Sequence, residues 1–111
     1  PSRKNIAGAL KIFGEALAKD PNAVAAHMGV VYARLYQFTS SPGKNRKELG
    51  DGLSHVNAAL KINPKLPDAY KKKSYLLYYM GRKKEAVAAL QAGMVRIPKS
   101  GELLEAYLSL L

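Results

Sequence analysis

The chain contains no cysteine. Disulfides, zinc–thiolate centres and cysteine nucleophiles are therefore excluded. Histidine is scarce: His27 and His55 are the two present, on what read as different helices. Acidic residues are also few, 8 Asp and Glu against 18 Lys and Arg, for a formal net charge of +10. No apolar run approaches the ~18 residues that a membrane span needs, so no span is expected. No stretch alternates apolar and polar residues cleanly enough to read as a strand. Pro1-Ser2-Arg3-Lys4 has no apolar signal region behind it.

What is present reads as helix throughout. With 111 residues, 48% of them hydrophobic, the chain suits one globular domain and is too apolar to be disordered. Ile6, Leu10, Phe13 and Leu17 lie on one helical face. Ser2 reads as a candidate N-cap, and Asp20-Pro21-Asn22 as a stop. A second helix is expected from about 23 to 37, before the turn chemistry of Thr39 to Asn45. A third carries Leu49, Leu53, Val56 and Leu60. It starts either at a capping box of Asn45 and Glu48 or, because Gly50 and Gly52 weaken its first turns, near Asp51. Helices from about 67 to 80, 83 to 96 and 101 to 111 follow, separated by Gly81 and Pro98.

Three segments share a spacing. Ala9, Phe13, Ala16 and Pro21 step by 4, 3 and 5, as do Gly52, Val56, Ala59 and Pro64, and Ala86, Leu90, Gly93 and Pro98. Each set reads small, large apolar, small, proline. Small residues let two helices approach, the large one fills the gap between them, and proline ends the helix so that the chain can turn back. Pro64 and Pro98 are 34 residues apart, and Pro21 and Pro64 are 43 apart.

The 34-residue period and the Ala-x3-Phe-x2-Ala-x4-Pro spacing resemble the tetratricopeptide repeat, over nearly the whole chain. Tyr79-Met80-Gly81-Arg82-Lys83-Lys84-Glu85-Ala86 looks like the turn between paired helices of that family. Where the family prefers Trp-x2-Leu-Gly-x2-Tyr, this chain has His27, Val30, Val31 and Arg34, then Tyr70, Lys73, Ser74 and Leu77. The last segment has Leu104, Tyr107, Leu108 and Leu111. The resemblance implies an all-α fold, a right-handed α-solenoid of antiparallel helix pairs with about two and a half repeats. Residues 1–22 would be the second helix of a partial repeat and 23–64 a repeat with an insertion near 38–46. Residues 65–98 would be a further repeat, and 99–111 a terminal helix. Apolar end faces of such an array need cover, so self-association through the terminal helices is an expected alternative to self-capping.

The resemblance also implies a concave groove lined mainly by the first helix of each pair. Its face would hold Met28, Gly29, Tyr32, Leu35 and Tyr36, then Lys71, Lys72, Tyr75, Tyr78 and Tyr79. Tyr32 and Tyr36 recur as Tyr75 and Tyr79 at the 43-residue offset of their helices. Tyrosine offers apolar area and a hydroxyl at low entropy cost, which suits peptide contact. Some members clamp a C-terminal carboxylate through Lys-x3-Asn and Lys-x3-Arg pairs. The corresponding positions here are Met28-x3-Tyr32 and Lys71-x3-Tyr75, so that clamp is not expected.

Residues 61–84 carry a net charge of +7, which favours an anionic partner: an acidic peptide, or RNA or another polyanion. Arg82, Lys83 and Lys84 form an alternative basic patch at the start of the fifth helix. Catalytic groupings are poor. Asp51 and His55 share a helix face as an ion pair, and neighbouring Ser54 points about 100° away from His55. Pro42-Gly43-Lys44-Asn45 lacks the upstream glycine and the following Ser or Thr of a phosphate loop. The expectation is a non-catalytic protein-interaction module without cofactor or metal. It would bind a protein or peptide, acidic in one version, in the groove; the alternative is RNA or polyanion binding through 61–84.

Overall fold

A computed structural model describes residues 3–41 and 46–111. Among these residues there are six helices and no strand: α1 (Arg3–Lys19), α2 (Val24–Ser40), α3 (Arg46–Ile62), α4 (Pro67–Tyr79), α5 (Lys83–Arg96) and α6 (Gly101–Leu110). Each helix packs on the next, and α2 also touches α4, as α4 touches α6. The molecule is a slab of 37 × 34 × 19 Å, its short dimension two helix layers of about 10 Å. This is an all-α helical repeat solenoid, with α2, α4 and α6 forming one continuous wall.

Local chemistry accounts for several helix ends. Pro67 occupies the first turn of α4, where its missing N–H costs nothing. Gly81, at φ 79°, closes α4 as only glycine does readily. The Gly81 and Arg82 amides then donate to the Tyr78 and Leu77 carbonyls at 3.0 and 2.9 Å. Ser100 caps α6 by accepting from the Leu103 amide. The candidate caps at Ser2 and Asn45, and the Pro42–Asn45 turn, lie outside the described residues.

One boundary differs from expectation, and for another the structure chooses between two expected starts. α2 continues three residues past Gln37. The Thr39 and Ser40 hydroxyls donate to the Leu35 and Tyr36 carbonyls at 3.0 and 2.6 Å, and Phe38 packs on the core. α3 begins at Arg46, the earlier of its two expected starts. Leu49 is fully buried there, and its burial offsets the weakness that Gly50 and Gly52 bring to the first turns.

The main core joins Val31 and Leu35 of α2, Leu49 and Val56 of α3, and Ala69 and Leu76 of α4. A second cluster joins Tyr70, Leu90 and Leu103, and a third joins Leu77, Ala86 and Ala89. Small residues of the repeated spacing sit at the closest approaches. A Cβ on Gly93 would lie 2.7 Å from Cγ of Tyr70. The Phe13 ring of α1 rests on Gly29 of α2, 2.5 Å from where a Cβ would stand.

Candidate functional site

The expected groove residues lie on the α2–α4–α6 wall, with differing environments. Tyr32, Tyr75 and Tyr78 are 48%, 38% and 50% exposed, and Tyr36 and Tyr79 are also exposed. Met28 is half-buried and packs against the main core. Leu35 and Gly29 are not groove residues. Leu35 is buried among core side chains, because its position on α2 faces α3 and α4, and Gly29 is covered by Phe13.

Between α2 and α4 the wall carries a cluster of bonded side chains. The Tyr32 hydroxyl donates to Asp68 Oδ2, and Lys72 Nζ reaches Asp68 Oδ1 at 3.2 Å. Lys72 also lies 5.2 Å from the Tyr32 ring centre and 5.3 Å from that of Tyr75, within cation–π range of both. The bond to Asp68 is the main cause that pushes the Tyr32 phenol up to about 12, with burial adding to it. Burial pulls the Asp68 carboxyl upward, but the bonds from Tyr32 and Lys72 together outweigh it and hold the group below its ordinary value.

Between α4 and α6 the wall opens into a cleft of about 930 Å³. Lys71, Tyr75, Tyr78 and Tyr79 line one side, Glu102, Glu105 and Ser109 the other, and Lys83 also lines the cleft. Lys71 pairs with Glu102 at 2.8 Å, and the hydrogen bond it donates to that carboxylate raises the lysine against the opposing effect of burial. Tyr78 and Tyr79 meet edge to face, with ring centres 6.1 Å apart, and Tyr79 also contacts Phe38 at 5.3 Å. Tyr36 instead lines a separate recess of about 550 Å³ with Arg3, Ile6 and Glu48.

The structure divides the alternative basic patch. Arg82 is forked onto Glu85 through Nε and Nη2. Lys83 enters the tyrosine-lined cleft, and Lys84 is exposed outside it. Among the described residues, neither Lys83 nor Glu105 has a side-chain ion-pair partner.

Sequence reasoning missed the acids that hold Lys71 and Lys72. Asp68 and Glu102 are 34 residues apart, and each is the second residue of its helix; that spacing was the available signal. It also missed the contact of His27 with His55, whose Nδ1 atoms are 3.0 Å apart. The expected Asp51–His55 pair is present at 3.6 Å, but Asp51 is held more closely by Arg34, at 2.8 Å. No group of three His, Cys, Asp or Glu among the described residues is placed to hold a metal ion. No described helix is long and apolar enough to cross a membrane.

No protein-family model matches the sequence. Tetratricopeptide repeat protein 28 of Homo sapiens and its Mus musculus counterpart are each 33% identical to it over 98 residues. Those matches span 86% of this chain and 4% of each relative's length. The crystal structure of a thermophilic TPR protein from Thermus thermophilus superposes with a TM-score of 0.81 at 18% identity. It covers 96% of this chain and 56% of that one, a likeness of fold. The helical wall, the small residues at its close approaches and these matches agree: the chain is a domain of the tetratricopeptide-repeat family.

Proposed function

We propose that the domain is a non-catalytic protein-interaction module that takes a peptide or protein segment in the α4–α6 cleft. Residues 23–64 and 65–98 would be its two repeats, flanked by half-repeats at 1–22 and 99–111. The observation that carries the reading is the cleft itself: about 930 Å³, lined by Tyr75, Tyr78 and Tyr79. Its size suits a side-chain-bearing ligand, and tyrosine is a favoured anchor of such contacts. Lys71 and Lys72 are neutralised internally by Glu102 and Asp68. Lys83 is therefore the cation available to an acidic side chain of the ligand. The test is a displayed peptide library panned on the domain. Selected peptides should bind wild type and lose affinity when Tyr75 and Tyr78 are both replaced by alanine.

RNA or polyanion binding through 61–84 is less well supported, because Lys71, Lys72 and Arg82 of that stretch are already paired with carboxylates. A steep log-linear loss of affinity with salt would favour it over the cleft.

Self-association through the terminal helices has an observation of its own. Leu104, Leu108 and Leu111 are 51%, 61% and 67% exposed. Thirty-four residues earlier, Tyr70, Ser74 and Leu77 are buried in the region where α5 packs on α4. Ile12 of α1 is 65% exposed, while Ala89, its counterpart 77 residues on, is buried. α1 carries Arg3, Lys4, Lys11 and Lys19 against Glu15, and α6 carries Glu102 and Glu105 with no cation. A second copy whose α1 lies on α6 would complete a helix pair with matching charge. Leu108→Glu should shift sedimentation toward monomer, and a wild type that stays monomeric at high concentration would exclude this contact.

A further inference from the structure

The fold brings His27 of α2 and His55 of α3 together, with ring centres 5.2 Å apart and Nδ1 atoms at 3.0 Å. Two nitrogens at that distance share one proton: one donates and the other accepts. The far side of His27 decides which. Its Nε2 lies 2.8 Å from the Pro21 carbonyl oxygen. A carbonyl only accepts, so Nε2 carries a proton, and a neutral His27 presents a lone pair at Nδ1. His55 must then donate its Nδ1–H. The Nε2 of His55 faces Asp51 Oδ1 at 3.6 Å, and Arg34 holds the other oxygen of that carboxylate at 2.8 Å.

Counting protons sets the limit of this arrangement. With both rings neutral, one N–H serves Pro21 and one lies between the rings. A further proton on His55 Nε2 points toward Asp51 and leaves the shared bond intact. One more puts two N–H groups face to face across 3.0 Å, with their hydrogens about 1 Å apart, which no contact tolerates.

The second helix pair supplies an internal control. Tyr70, 43 residues after His27, donates its hydroxyl to the Pro64 carbonyl at 2.7 Å, the counterpart of the bond to Pro21. Ala89, 34 residues after His55, stands where the second ring would be. The carbonyl bond is thus present in both pairs, and a near-neutral titratable contact in the first alone.

We propose that the His27–His55 pair is an acid-sensitive clasp, holding α2 to α3 near neutral pH and releasing when both rings become charged. The charged groups facing the pair are Asp51 on α3 and Arg34 on α2. The α1–α2 turn supplies the uncharged Pro21 carbonyl, and among the described residues no titratable group of α1 or α4 bonds to either ring. Burial holds His55 below the ordinary histidine value; Asp51 opposes that, while His27 and Arg34 add to it. A base lowered by folding contributes stability above its unfolded value of about 6.5, and that contribution is lost as the pH falls through the folded value. α2 also carries Tyr32, so acid release would loosen one wall of the groove while leaving α4–α6 packed.

The test compares thermal melts of wild type and His55→Asn at about pH 7.5 and about pH 5. The asparagine amide can donate where Nδ1–H stood and can turn its oxygen inward when His27 is charged. The wild-type midpoint should fall by about 5 °C or more on acidification, and the variant's by less than half as much. Imidazole nitrogen NMR of wild type at the higher pH should show His27 protonated on Nε2 and His55 on Nδ1. Equal acid losses in the two proteins would overturn the proposal. So would two rings in the same tautomer that titrate independently, a readout that stands even if the variant does not fold.

Discussion

The seam between α2 and α4 and the seam between α4 and α6 are built from equivalent parts. Tyr32 and Tyr75 are 43 residues apart, Asp68 and Glu102 are 34 apart, and each acid begins the helix that follows its tyrosine's helix along the wall. In the first seam the Tyr32 hydroxyl donates to Asp68, and Lys72 settles on the same carboxylate between two aromatic rings. In the second, Glu102 takes Lys71 instead, and the Tyr75 ring lines a cleft. The lesson is one of competition. A carboxylate at the start of a helix attracts whichever donor the preceding helix offers within reach. When a tyrosine meets it the hydroxyl is tied across the seam, and when a lysine meets it the tyrosine ring is left to line a cleft. Equivalent positions in the two seams therefore make different contacts.

The sharpest way to break this contrast is to remove the aromatic side chains from one seam and only a hydroxyl from the other. Replacing Tyr75 and Tyr78 together by alanine should weaken library-selected peptides by about 2 kcal/mol or more, roughly 30-fold, as loss of interface anchors does. Tyr32→Phe should leave that affinity unchanged. Tyr79 is a poorer choice, since it contacts Phe38 at 5.3 Å and its loss would disturb packing as well. Equal losses in the two variants, measured by titration calorimetry, would mean that the seams do not differ in function.

Much of the fold was legible because helix formation and repeat packing leave local marks. Apolar steps of 4 and 3 mark a buried face, and Pro21, Pro64 and Pro98 follow helix ends. Ala86, buried against Leu77, and Gly93, close against Tyr70, show why the repeated spacing needs small residues. The tyrosines were legible for the same reason: they recur at the period of the helices that carry them. What was not legible depends on side chains meeting across helices. Nothing local tells that Lys71 spans to Glu102, or that His27 meets His55 from 28 residues away. Leu35 was misplaced because a helix in the middle of a stack buries more than one face. The first helix of an end pair presents an exposed side, but α2 is covered by α1, α3 and α4 together.

Gly52 and Gly93 also differ in how tightly they are packed, and alanine substitution at these two sites sharpens the comparison. A Cβ on Gly93 would lie 2.7 Å from Cγ and 2.9 Å from Cβ of Tyr70, atoms near the backbone that cannot swing aside. Gly93→Ala should therefore destabilise by about 1–2 kcal/mol, since overpacking outweighs the gain of about 1 kcal/mol in helix propensity. A Cβ on Gly52 would meet Leu76 Cδ2 at 3.0 Å, the far end of a side chain rather than atoms near the backbone. Gly52→Ala should come within about 0.5 kcal/mol of wild type, because a small shift of that leucine is offset by propensity. Urea unfolding of both variants decides the matter, and a reversed order would make Gly52 rather than Gly93 the tighter of the two sites.

The smallest effect lies at the α2–α4 seam and appears at alkaline pH. The bond to Asp68 pushes the Tyr32 phenol up to about 12, so folding favours its protonated form. A group raised by folding contributes stability that is complete below its unfolded value of about 10 and is lost as the pH rises through the folded value. Tyr32 is 48% exposed, so solvent screening keeps that contribution below about 1 kcal/mol. Asp68→Asn keeps the shape of the side chain but removes its charge. In that variant the Tyr32 phenol should ionise nearer its ordinary range, and the weak loss of stability between about pH 10 and about pH 12 should flatten. The near-ultraviolet absorbance of tyrosinate follows this directly: one of the seven tyrosines should titrate late in wild type and move earlier in Asp68→Asn. Glu102→Gln, which acts at the α4–α6 seam and frees Lys71 rather than a tyrosine hydroxyl, should leave the late-titrating tyrosine nearly where it was. A late tyrosine that moves with Glu102→Gln instead would place the tyrosine–carboxylate bond between α4 and α6 and exchange the roles of the two acids.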